Sequence, residues 1–137
     1  MWTLGLPILF VLLVGAHPPN SEDYQKAAIV INKLKEAVIQ KDVDRISSLL
    51  HTYFYFQKCD EMMRRDEFLH MMSTFHLDPS TNVEFKVLRA DDDFQEIQLW
   101  MFKDGGKKKD VRSAYFRIYE GLIESGYTYG PLDCPDS

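Results

Sequence analysis

The chain has 137 residues, with 16 Lys and Arg against 21 Asp and Glu, a formal net charge of −5 and a pI near 5.3. That length admits one domain with a real core and not two. An acidic balance argues against a phosphate backbone or an anionic membrane as partner, so no nucleic acid and no membrane contact is expected of the folded domain.

Residues 1–16, MWTLGLPILFVLLVGA, carry no charged side chain, and their apolar run from Leu4 to Val14 is too short to span a bilayer. The run is not amphipathic, and Gly5 and Pro7 weaken it as a helix in water. Val14 and Ala16 place small residues where a signal peptidase reads, so residues 1–16 are expected to be a signal peptide and residues 17–137 a secreted, extracellular single domain. None of Asn20, Asn32 and Asn82 is followed by Ser or Thr two places on, so N-glycosylation is not expected.

After HPPNSE, residues Tyr24, Ala27, Ala28, Ile31, Leu34 and Val38 recur at three- and four-residue steps, which predicts a helix ending near Lys41. Asp42 reads as the N-cap of a shorter helix carrying Val43, Ile46, Leu49 and Leu50. TYFYFQKC, Thr52 to Cys59, changes the period to two and predicts a strand with Phe54 and Phe56 on one face and Tyr53 and Tyr55 on the other. A third helix is expected over about Met63 to Phe75, with Phe68, Leu69, Met72 and Phe75 inward and Arg64, Arg65, Asp66 and Glu67 toward water. DPSTN breaks it.

Beyond that break the alternation is that of strands. The inward sets are Val83, Phe85 and Val87, then Ile97, Leu99 and Met101, then Ala114, Phe116 and Ile118, and a last strand runs from about Leu122 to Tyr129. The basic run Lys107 to Lys109 follows Asp104-Gly105-Gly106 and reads as a solvated hairpin tip. An even loop there pairs odd positions of one arm with even positions of the other, so Leu99 and Met101 should share a face with Ala114 and Phe116. The opposite face then carries Trp100, Phe102, Tyr115, Arg117 and Tyr119, a composition enriched at protein interfaces. Either a second copy, a protein partner, or the last strand or tail of the same chain is expected to cover it.

Two cysteines in a secreted chain are most simply one disulfide, Cys59 to Cys134, closing a loop long enough to stabilise by about 4–5 kcal/mol in the chain-entropy account. No CxxC spacing or histidine pairing accompanies either cysteine, which argues against a metal or reactive-thiol pair. Glu67-x-x-His70 has the spacing of one half of a di-iron site, but no second copy exists, and His51, His70 and His76 lack the HExxH spacing. Asp91-Asp92-Asp93 does not alternate its carboxylates as a calcium loop does and reads as a turn. No nucleophile elbow or phosphate loop occurs. No metal, cofactor or catalytic residue is therefore expected.

The order of elements resembles the nuclear transport factor 2-like superfamily, the cone-shaped fold shared with ketosteroid isomerases and polyketide cyclases. EAVIQKDVDRISSLL matches the helix-turn-helix, FYF the first strand, RRDEFLHMM the third helix and EFKVLRADDDFQEIQLWMF the start of the sheet. The chain also looks like small secreted members with one cysteine after the FYF-type strand and one near the C-terminus. The resemblance implies an α+β domain with N-terminal helices packed on the concave face of a curved antiparallel sheet. In enzymatic members the cone holds Asp, Glu, His or Tyr, whereas the inward strand positions here hold none. Phe54, Phe56, Phe85, Leu99 and Phe116 are the expected cavity lining, with bulky packing filling the space. The implied role is a non-enzymatic, dimerising or partner-binding module. The alternatives are a carrier of a small apolar ligand and, ranked below both, a small isomerase or dehydratase using Tyr53, Glu124 or Tyr127.

Overall fold

The structure is a computed structural model and describes residues 21–103 and 112–128. The expected signal peptide, the tip of the Gly105-Gly106 hairpin and Cys134 lie outside the described residues.

Helix α1, Glu22–Ile39, starts at Ser21, whose hydroxyl accepts from Tyr24 N at 3.1 Å, and carries Glu22 and Asp23 in its first turn, where acidic side chains complement the helix dipole. Its buried face is Ala27, Val30, Ile31, Leu34, Ala37 and Val38. That stripe is wider than the sequence reading, which left out Val30 and Ala37. Lys41 adopts φ 55 and turns the chain into α2, Val43–Ser48, which Asp42 caps through its side chain as expected. Ile46 at the centre of α2 is fully buried.

Strand β1, Leu50–Lys58, follows directly, with Phe54 and Phe56 buried and Tyr53 and Tyr55 exposed. A second strand then corrects the sequence reading. Glu61–Arg64 forms β2, paired antiparallel to β1, with Met63 opposite Phe56. The two-residue turn places Cys59 at φ 57, a left-handed conformation that Cys seldom adopts and that no Asn-Gly or Asp-Gly pair announced. Helix α3 is accordingly shorter than expected, Arg65–Thr74, and begins where Glu67 Oε1 accepts from Arg64 N at 3.2 Å. Arg65 was expected in water. It is half-buried, and its guanidinium donates to Ser47 O and Oγ at 2.7 and 2.6 Å, tying α3 to the end of α2.

The remaining strands are β3, Asn82–Asp91, β4, Phe94–Phe102, β5, Arg112–Tyr119, and β6, Leu122–Thr128. They join the first two in one sheet of order β2-β1-β6-β5-β4-β3. Neighbours are antiparallel except β1 and β6, which run parallel. Leu99 opposes Ala114 and Phe85 opposes Leu99, so the inward sets share one face, as the even-loop argument requires. Asp92-Asp93 and Glu120-Gly121 are two-residue turns, the second with φ 50 and 80 at its two positions. The core lies between the helices and the inner face of the sheet, centred on Ile46, Ile97, Ile118 and Ile123, each 0% exposed. This is the expected α+β cone, its curved sheet mixed rather than wholly antiparallel.

Candidate functional site

The inner face does not close completely. Between α1, the α3 end and the strands lies a cavity of about 800 Å³. Its apolar wall is built by Ile31, Leu34 and Val38 from α1 and by Phe68, Met71 and Met72 from α3, because both helices present an i, i+3, i+4, i+7 stripe to the sheet. The strands complete it with Phe56, Leu99, Ala114 and Phe116. Phe and Met side chains line this space, where the sequence reading expected them to fill it.

Of the five residues expected to line it, Phe56, Leu99 and Phe116 do, and Phe54 and Phe85 do not. Phe54 is held against Phe68 at a centroid distance of 4.7 Å and is spent on the core. Phe85 stacks on Tyr24 at 4.6 Å and 12°, beneath the first turns of α1. Phe68 also meets Phe56 at 5.2 Å, and Phe56 meets Phe116 at 6.0 Å, so Phe56 is the aromatic of TYFYFQKC that joins the cavity floor.

The polar residues of the lining were missed by the sequence reading. Lys35 on α1, Lys58 at the end of β1, His76 after α3, Lys103 after β4 and Arg112 at the start of β5 all border the cavity. His76, Lys103 and Arg112 are exposed, and Lys35 and Lys58 are half-buried, which places this set at the mouth. No Asp, Glu or Tyr lines the cavity among the described residues. Asp78 lies just outside, its carboxyl held below the usual range first by the backbone and hydroxyl of Ser80 and more weakly by Lys103 and His76. No local spacing signals this rim, since its members come from five separate elements.

The outer face of the sheet carries Trp100, Tyr115 and Arg117 as expected. Lys86 Nζ sits 5.6 Å from the Trp100 ring centroid, and Arg117 Nε donates to Glu96 Oε2 at 3.1 Å. The last strand does not cover this face. It lies in the plane of the sheet between β1 and β5 and extends the face with Tyr127, which stacks on Tyr115 at 4.6 Å and 11°. Tyr119 is exposed beside the β5–β6 turn, its hydroxyl pushed up chiefly by the charge of Glu120. Phe102, at the end of β4 and of the same parity as Trp100, also borders the cavity. Tyr53 is 83% exposed.

Glu67 serves as the α3 cap, and no group of His, Cys, Asp and Glu among the described residues has metal-site geometry. Nor is any described helix long and apolar enough to cross a membrane.

No curated protein matches the chain. Among solved structures, a cystatin-like fold protein from Burkholderia xenovorans superposes with a TM-score of 0.62 at 9% identity, covering 80% of this chain and 92% of its own. An NTF2-like protein of unknown function from Shewanella baltica gives 0.60 at 12% identity over 82% and 97%. A de novo designed protein with a curved β-sheet gives 0.55 at 21% identity over 76% and 99%. Likeness at these identities establishes the fold alone. Residues 24–130 match the NTF2-like domain family, from the first turn of α1 to just past β6, and the chain is therefore a member of the NTF2-like family.

Proposed function

We propose that this is a secreted, non-enzymatic binding domain that carries a small apolar molecule in its cone. The observation that supports this most is the cavity itself, whose 800 Å³ falls in the range of sites that enclose drug-sized ligands. Isomerase-type chemistry needs a carboxylate base inside the cone and donors for the developing oxyanion. The described lining offers no carboxylate, and its imidazole, His76, is exposed at the mouth, so the carrier reading is preferred to an isomerase or dehydratase.

The proposed Cys59–Cys134 disulfide belongs to the same picture. Cys59 N donates to Thr128 O at 3.1 Å, and Thr128 and Lys58 both border the cavity, so a bridge from Cys59 to the following tail would fasten the rim. Five residues separate Thr128 from Cys134, six Cα steps that span up to about 20 Å when extended, so the chain can reach.

The carrier reading is tested with Ala114→Phe, which adds a ring to the cavity wall from a buried position. The variant should fold and lose binding of dodecanol by titration calorimetry. Unchanged dodecanol affinity in a folded variant contradicts the reading.

A second reading, association with a second copy or a protein partner through the outer face, is favoured by one observation. Trp100, Tyr115 and Tyr127 lie on the sheet face opposite the buried Leu99, Ala114 and Phe116.

A further inference from the structure

Building on the carrier reading, we propose that the cavity's ligand is an amphipathic anion, an apolar body with one acidic headgroup held at the mouth by the cationic rim. The argument is one of charge placement. The chain as a whole has an acidic excess of side chains, 21 against 16, yet the described lining contains Lys35, Lys58, Lys103 and Arg112 and no Asp or Glu. Local charge is thus opposite in sign to the chain's.

These cations come from α1, β1, the end of β4 and β5, so no single element's surface requirement gathers them. Lys35, Lys58 and Lys103 form no ion pair with a described carboxylate, in contrast to Lys26 and Arg117, which do. The nearby Asp78, hydrogen-bonded by Ser80 at 2.9 Å on its Oδ1, keeps its negative charge and offsets part of the rim at Lys103 and His76, which still leaves the cations in excess. Like charges assembled at an opening repel one another and favour an anion there. Behind them the wall is mostly aliphatic side chains, Met and Phe, which accept a hydrocarbon body. Thr81 and Thr128, both buried in the lining, add hydroxyls but no charge.

The test is a titration of the full chain with a matched series: dodecanoate, dodecyl phosphate, dodecanol and dodecyltrimethylammonium, each below its micelle concentration. The proposal expects one site per chain, with at least one anion bound about tenfold or more tighter than dodecanol, the advantage shrinking as salt rises. The cation should bind weakest. Whichever of dodecanoate and dodecyl phosphate binds tighter identifies the headgroup class. The double variant K35Q/K103Q should weaken the anion by about tenfold and leave dodecanol within about twofold, a split that misfolding cannot produce. Lys33→Gln, on the exposed side of α1, should change neither. Equal binding of all four ligands, or anion binding indifferent to K35Q/K103Q, overturns the charge proposal and leaves the carrier reading standing. Absence of binding by every ligand overturns both.

Discussion

Gly126 on β6 lies against the rings that floor the cavity, which makes its replacement the sharpest probe of that packing. A Cβ at this position would stand 2.6 and 2.7 Å from Phe116 Cδ1 and Cε1 and 3.0 Å from Phe56 Cδ2. Gly126→Ala therefore forces both rings to move, an overpacking cost of about 1–3 kcal/mol. Both rings border open space, so the displacement is relieved in part and the cost falls in the lower half of that range. Restricting the unfolded chain by replacing glycine returns about 0.4–1 kcal/mol. The net expectation is a loss of about 1 kcal/mol, or a Tm lower by about 3–6 °C for a domain of this size. The rings move toward the cavity, so dodecanol affinity should fall in the same variant. A thermal scan by circular dichroism and a calorimetric titration read the two effects. A Tm at or above the parent's with undiminished affinity would refute the packing argument.

Other substitutions test separate parts of the account. Phe68→Ala removes the ring that Phe54 and Phe56 share and should destabilise by about 3–5 kcal/mol in urea denaturation. Gln95 is 1% exposed, and its Nε2 meets no acceptor among the described residues, so Gln95→Met should raise Tm through the relief of about 1 kcal/mol of amide desolvation. Replacing Trp100 and Tyr115 together by Ser should abolish any self-association seen by sedimentation and leave dodecanol binding intact; a parent chain that is monomeric at all concentrations rules that surface out as a dimer contact. Lys26 bonds to Asp93 at 3.3 Å and Glu22 at 3.4 Å, and these raise its pKa. Its contribution is therefore complete below the ordinary lysine value and lost as pH rises through the higher folded one. Asp78 runs the other way: its contribution is present above the ordinary carboxylate range and lost as pH falls through the lower folded value. Lys26→Met should accordingly flatten the alkaline limb of a Tm-against-pH curve, and Asp78→Asn the acid limb.

Much of the fold was legible because its determinants are periodic or local. The stripe of α1, the Asp42 cap and the alternation on β3, β4 and β5 each depend on residues a few positions apart. The two-residue turn at Cys59-Asp60 was not legible, because its left-handed residue is a cysteine and not the usual Asn or Gly. The β2 strand, exposed at three of its four positions, lacks the alternating apolar pattern by which strands are read. The fate of Phe54 and Phe85 turned on which helix residue reached each ring, Phe68 for one and Tyr24 for the other, a pairing that depends on helix placement. The cationic rim was hidden for the same reason: Lys35 and Arg112 are far apart in sequence and border one cavity only in the folded cone.

The central claim is that the cone is occupied by a small molecule. The direct measurement is native mass spectrometry of the protein secreted from a eukaryotic host, without reductant. The account predicts one ligand of a few hundred daltons per chain, lost on denaturation and recovered as an anion, on a chain lighter by one disulfide. A bare chain at its sequence mass, with no species to recover after denaturation, would contradict it.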